Sequence, residues 1–362
     1  MMRRYTIPFA LCFSLSAILS VKLSPNHAQA AEPQLITIAP LQISYKSTQQ
    51  PTSQVLAGVA KLSGVTLSVS GEVAERPINV NFQGVPFWEA LEEIAKQSGS
   101  RIVPTKSGKA LTLVPLGKDI PVPPSAIDGA FRIVLKQIIA KQDFESGKTS
   151  YELRLDAMWE PRFPVFYMET EPTIVSILGA KAGTPAGGRA PTTGYTHPLV
   201  VRLSEIPRST THIEKIELKL HAIAADKMLL FTFDTIESDK PISKKQDDVT
   251  VKLKPIQRTG TRTDVKLELE YPASQPALES FEQFTWNNQL RLLQPEKLTA
   301  HRPKDYQLLE NANKVNATYY YEAPNANKDI FANLKGWKLV YETPSPLKNV
   351  ELNFTLKNLR LP

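Results

Sequence analysis

Trp159-Glu160-Pro161-Arg162 is the densest cluster of binding chemistry in this sequence, with an indole, a carboxylate and a guanidinium within four residues. Trp159 continues the apolar face of Tyr151, Leu153, Leu155 and Ala157, so its ring serves either a core or a ligand. Trp88, Trp286 and Trp337 pose the same alternative of core anchor or sugar platform. Tyr319-Tyr320-Tyr321 puts an aromatic on each face of a strand, leaving Tyr320 exposed or lining an interface. Trp159, Glu160, Arg162 and Tyr320 are therefore the candidate binding residues.

Catalytic arrangements are harder to find. Gly147-Lys148-Thr149 is half of a phosphate loop. The full motif needs a glycine where Gln142 stands, and a helix where Tyr151-Glu152-Leu153 begins a strand. Without a helix amino terminus there is no phosphate cradle, and a hairpin turn is expected. After residue 30 the histidines are His197, His212, His221 and His301, and no pair has H-E-x-x-H or H-x-H spacing. His212 and His221 lie on either side of a strand-like run, and His197 before Pro198 reads as a turn residue. No G-x-S-x-G elbow supports an α/β-hydrolase. The acid pairs Glu237/Asp239 and Asp247/Asp248 have the chemistry for calcium or a glycosidic bond, but sit in what reads as a solvated linker. No catalytic, cofactor-binding or metal-binding residue is assigned, and the chain is read as non-enzymatic.

The elements that position these residues follow an export signal. Arg3 and Arg4 precede the apolar run Ile7–Val21, and Ala28-Gln29-Ala30 is an A-x-A cleavage pattern. Lys22 closes the run before it reaches the ~20 residues of a membrane span. Cys12 lies inside the run, too early for a lipidated cysteine, and cleavage removes it as the only cysteine. Disulfides, zinc thiolates and cysteine nucleophiles are then excluded. Loss of Arg3, Arg4 and Lys22 takes the net charge from +7 to +4. Lysines and glutamates alternate along strands as solvated faces, not as the basic stripe with aromatics that nucleic acid requires. No later segment is long and apolar enough to span a membrane.

Pro121-Val122-Pro123-Pro124 marks one boundary, and Ser238-Asp239-Lys240-Pro241 with the charged run through Asp248 marks another. Residues 179–194 read as a flexible loop by their glycine, alanine, proline and threonine content. The expected organisation is a signal peptide at 1–30, an α+β domain at 31–120, and two β domains at 121–240 and 241–362.

Within the first domain, Thr52-Ser53 can cap a helix with Val55, Leu56, Val59 and Leu62 on one face, stopped by Gly64. A second helix starts after Pro86 with Phe87, Leu91, Ile94 and Ala95 on one stripe. Glu89, Glu92, Glu93 and Lys96 face out, and Gly99 ends it. Strand patterns surround them at Val65–Val69, Ile78–Phe82, Ile102-Val103 and Ala110–Val114, the last two pairing across Ser107-Gly108. The stretch from Pro77-Ile78-Asn79-Val80-Asn81-Phe82 through Val85-Pro86 into Phe87–Gly99 resembles the short amino-terminal (STN-type) module of secretins and TonB-dependent receptors, over about residues 40–116. That resemblance implies two helices on a small sheet, no catalytic residues, and contact with other envelope proteins or stacking into periplasmic rings. Secretins and receptors continue into a membrane barrel, which is not expected here.

From residue 125 onward apolar and charged residues alternate, as at Ile216–Leu220, Val249–Leu253, Val265–Leu269 and Val350–Leu356. Each run has one apolar and one charged face, as a half-solvated antiparallel sheet needs. With short strands and no aromatic girdle, two antiparallel β-sandwiches are expected rather than a barrel. The layout also resembles uncharacterised exported bacterial proteins, through Asp128–Ile133, Trp159–Arg162 and Leu356–Pro362, a group that carries no function across. The expectation is an exported periplasmic or extracellular envelope protein that binds or scaffolds envelope proteins or a cell-surface polymer. The alternative is a carbohydrate-binding or carbohydrate-active protein using exposed aromatics.

Overall fold

The computed structural model describes residues 35–105, 110–178, 181–182, 187–204, 206, 210–274, 288–295, 299–311, 313–323 and 329–362. The expected export signal and Trp286 lie outside these residues. Pro33–Pro362 forms one compact unit. It is mainly β, with two α-helices among the described residues, neither long and apolar enough to cross a membrane.

Helix α1 (Thr52–Ser63) buries Val55, Leu56 and Val59, and helix α2 (Phe87–Ser98) buries Phe87, Trp88, Leu91, Ile94 and Ala95. Both end on left-handed glycines, Gly64 at φ 67° and Gly99 at φ 64°. The start of α1 differs from the expected hydroxyl cap, while α2 starts after Pro86 as expected. Thr52 Oγ1 donates to the Arg76 carbonyl at 2.9 Å, and the residues before the helices are Pro51 and Pro86, whose rings preset the entry backbone. Leu62, expected on the α1 core face, is 52% exposed.

Strand Gln42–Pro51 pairs antiparallel with Pro77–Pro86. Strand Leu111–Pro115 lies between Leu67–Val69, parallel to it, and Ser100–Pro104, antiparallel to it. Side chains from both helices and both sheets form one hydrophobic cluster, which also takes in Val134 and Met158 from far along the chain.

Two further pairs of sheets each share a cluster. In the first pair, one sheet runs in the order Leu35–Ile36, Lys348–Arg360, His212–Ala224, Val165–Glu169, Arg189–Pro191, with Thr173–Ile177 also on His212–Ala224. Its companion runs Lys181–Ala182, Thr196–Ser204, Thr149–Trp159, Phe131–Gln142, Ser125–Asp128. In the second pair, one sheet runs Met228–Phe233, Lys338–Pro344, Gln289–Leu293, Ala300–His301. The other runs Ile242–Gln246, Val249–Leu253, Arg262–Glu270, Lys314–Glu322, Asp305–Asn311.

The division expected at 240 does not separate these cores. Phe231, Phe233 and Ile236 share a cluster with Val249 and Val251, while Val350, Leu352 and Phe354 return to the cluster of Leu153 and Leu218. The chain crosses near Ala225–Met228 and comes back at Ser345–Lys348. There Ser345 Oγ accepts from Asp226 N at 3.1 Å, and Lys348 pairs with Asp226. Alternation shows which face of a strand is apolar, not which strand lies beside it.

Two other expectations change for the same reason. Asp247 and Asp248 are not linker residues. With φ of 42° and 62° they form the tight turn between Ile242–Gln246 and Val249–Leu253, paired to Lys227 and Lys245 at 2.9 Å each. Within 179–194, Lys181–Ala182 and Arg189–Pro191 pair into sheets, where backbone pairing overrides a loop-like composition, while residues 179–180 and 183–186 lie outside the described residues. The Gly147-Lys148-Thr149 stretch closes the hairpin between Phe131–Gln142 and Thr149–Trp159, with Asp143 N bonded to Lys148 O at 2.9 Å.

Candidate functional site

Strand Thr149–Trp159 delivers Trp159 to the core with no exposed surface. The next residues turn toward segment 38–41. Glu160 is buried, and its carboxylate accepts from Leu41 N at 2.9 and 3.2 Å and from Arg162 Nε at 2.5 Å. Arg162 Nη2 donates to the Ala39 carbonyl, and its guanidinium lies 5.4 Å from the centre of the Phe163 ring. Burial pushes the Glu160 carboxyl above its ordinary pKa, opposed by the Arg162 and Leu41 bonds. Ala130 N donates to Ile38 O at 3.2 Å, and Phe87 N donates to Leu41 O at 2.8 Å, so segment 38–41 ties α2 to the Trp159 region. Gly129, at φ 56°, is required here, because a Cβ would stand 2.5 Å from Ile38 O.

A second clasp lies beside the first. Trp88 Nε1 donates to Ala130 O at 3.0 Å, and the same carbonyl accepts from Glu160 N at 3.1 Å. Arg132, 6% exposed, lies 5.9 Å from the Trp88 ring centre and pairs with Glu92 through Nε at 2.7 Å. Glu92 also accepts from Ser125 Oγ at 2.7 Å. Burial lowers the Arg132 pKa, and Glu92 opposes the shift. Among the described residues, Arg132 Nη1 has no hydrogen-bond partner.

This arrangement is suited to holding backbone segments together. Removing Arg162 is expected to cost about 2 kcal/mol, below the ~3–5 of a fully buried pair because Arg162 is partly exposed. The loss depends on pH with a definite sign. Without Arg162 the Glu160 pKa rises further above the unfolded carboxyl, so folded protein binds a proton that unfolded chain releases, and stability falls as pH rises through the raised value. Urea midpoints of Arg162→Ala against the parent should differ more at pH 8 than at pH 5, and equal deficits would contradict this role for Glu160.

Tyr320 is not part of this junction. It projects from Lys314–Glu322, a strand whose Tyr319 and Tyr321 point into a different cluster. Half-buried, it donates to Gln307 Oε1 at 3.2 Å and stacks 5.0 Å under the Arg262 guanidinium. Inside, burial pushes the Tyr319 hydroxyl up to about 12. Trp88, Trp159 and Trp337 are all buried and present no face to a sugar.

The histidines are scattered. His197 is not a turn residue. It lies in Thr196–Ser204 opposite Ala157, 5% exposed, and its Nε2 has no partner among the described residues. Burial lowers its pKa, so the unfolded chain binds more protons than the folded one below about pH 6.5. Stability is expected to fall as pH drops through that window, by up to ~1.4 kcal/mol per pH unit from this group. His197→Leu should flatten the slope in chemical denaturation series between pH 7 and pH 5, and an unchanged slope would remove His197 from the account. His221 Nδ1 sits 3.1 Å from Glu169, while its Nε2 is 3.6 Å from Glu351. His301 packs between Phe331 and Trp337. His212 is exposed at the far end of the His221 strand. Among the described residues, no three His, Cys, Asp or Glu side chains are placed to hold a metal ion.

A shallow groove of about 270 Å³ is lined by Lys141, Ser150, Glu152, Arg202 and Ser204. Its charges are already paired, Lys141 and Arg154 with Glu152, and Arg202 with Glu171.

Sequence reasoning missed Arg132, Glu92 and Ser125. A signal existed in Phe131-Arg132-Ile133-Val134-Leu135, a run too apolar for one wet face with a cation inside it. All five residues are buried, because Phe131, Ile133 and Leu135 serve one cluster while Val134 serves another. No protein-family model and no curated protein matches this chain.

Proposed function

We propose that this chain is an exported, non-catalytic envelope protein that binds or scaffolds envelope proteins or a cell-surface polymer. It would do so through an STN-like module near residues 40–116 and two antiparallel β-sandwich domains. One observation carries the reading: the side chains best equipped for chemistry, Glu160, Arg162, Trp88 and Arg132, hold the helical region against the strands that follow. The sandwich assignment is supported by each pair of sheets sharing a single cluster, and the second sandwich would then be an insertion between Ala225 and Ser345. The STN assignment is supported by the order of strands and helices between Gln42 and Pro115. A carbohydrate role is less well supported, since three tryptophan rings are enclosed.

Fractionation of producing cells should place the mature chain outside the cytoplasm. Photo-crosslinkers at the exposed α2 positions Glu89 and Lys96 should yield one recurring adduct in the envelope. Cytoplasmic retention, or no adduct from either position, would overturn the proposal.

A further inference from the structure

We infer that the slot holding residues 35–41 is a binding site for an extended peptide segment of a partner protein, occupied here by the chain's own residues. This rests on the proposed binding role and narrows it from a protein or a polymer to a protein segment. The polar contacts of the slot go to main-chain atoms. Leu35 and Ile36 run parallel beside Asn349 and Val350. Ala130 N donates to Ile38 O at 3.2 Å, and Phe87 N donates to Leu41 O at 2.8 Å. Arg162 Nη2 donates to Ala39 O, and the Glu160 carboxylate accepts from Leu41 N at 2.9 Å. Gly129 leaves the Ile38 carbonyl room to approach. A saccharide lacks this regular succession of N–H and C=O groups, while an extended peptide carries it whatever its side chains.

Side chains are read by position. Ile38, 8% exposed, joins the cluster of Phe131 and Trp159, and Ile36 packs against the same cluster. Thr37 and Ala39 face solvent. The slot therefore takes a strand with apolar residues two apart. The resident segment is weakly tied. Among the described residues it pairs with Lys348–Arg360 at two positions, whereas the other side of that strand is paired from His212 to Ala224. Such a segment opens at a lower free energy than the sheet it lies on.

The test is a fluorescence-anisotropy titration of a labelled synthetic peptide with the sequence of Leu35–Leu41. Ile38→Asp in the mature chain places a charge in the apolar slot and loosens the resident segment, and this variant should bind the peptide saturably. The parent should bind it at least about tenfold more weakly, because its own segment competes at an effective concentration on the order of millimolar. Adding Arg162→Ala to Ile38→Asp should weaken binding by roughly fivefold or more, through loss of a charge-assisted hydrogen bond. A peptide with aspartate at both apolar positions should not bind. Circular dichroism confirms that each variant is folded, and Ile36→Asp, at a partly buried residue, loosens the same segment if Ile38→Asp does not fold. No binding by a folded loosened variant, equal binding by the parent, or equal binding of the aspartate peptide would overturn the inference. Each of these results leaves the cellular compartment untouched, and cytoplasmic retention leaves the titration untouched.

Discussion

Trp88→Ala is expected to lower unfolding free energy by about 3–5 kcal/mol, the usual range for removing a fully buried large aromatic. The ring has no exposed surface and packs edge-on against Phe87 at 5.3 Å between centres. Its loss opens a cavity that the two helices cannot close, since both are held by their own strands. It also removes the platform under Arg132 and the Nε1 bond to Ala130 O. Trp88→Phe separates these effects. It keeps most of the packing, and Ala130 O keeps Glu160 N as a donor, so about 1 kcal/mol is expected. Urea denaturation followed by far-ultraviolet circular dichroism reads both values. A Trp88→Ala cost near that of Trp88→Phe would show that the ring is not a core anchor.

Glu92→Ala carries the second large effect, about 3 kcal/mol. Removing one partner of a buried ion pair typically costs ~3–5 kcal/mol because the other charge is stranded, and Glu92, about one-third exposed, brings the value to the lower end. The stranded group is Arg132, whose Nη1 already lacks a partner. The reverse substitution should be milder. Arg132→Met leaves a carboxylate that water reaches and that Ser125 still serves, in a site already lined by Trp88. Glu92→Ala combined with Arg132→Met should recover stability relative to Glu92→Ala alone. A double-mutant cycle in urea measures this, and additive losses would rule out the stranded-charge explanation.

Both sites show how unevenly the protein can be read from its chain. Helix α2 was legible because a stripe of apolar residues at helical spacing over its twelve residues, the proline just before it and the glycine just after it all act locally. The inward-outward alternation of Tyr319, Tyr320 and Tyr321 was legible because a strand imposes a two-residue period. Glu92 reads as a solvent-facing charge and is about one-third exposed, but the pattern contains no information about its partner Arg132, forty residues away. The cluster at Trp159, Glu160 and Arg162 drew notice for the right residue types, yet its partners are the backbone atoms of Leu41 and Ala39, about 120 residues earlier. Backbone groups have no sequence signature, so a binding cluster and an internal clasp look alike.

By itself the sequence determined the strand-rich character of the chain, α1 ending at Gly64 and α2 between Pro86 and Gly99, and the inward faces of the strands. These follow from local sterics and from burial of apolar side chains, which act over a few residues. Tertiary structure alone decided that Lys348–Arg360 lies beside His212–Ala224, that the strands from Met228 to Pro344, which in the chain fall between strands sharing one core, build a core of their own, and that Glu160 and Arg132 close a junction. Strand pairing is chosen among many faces of similar pattern by the packing of whole sheets, and a charge is buried only where another part of the chain supplies its partner.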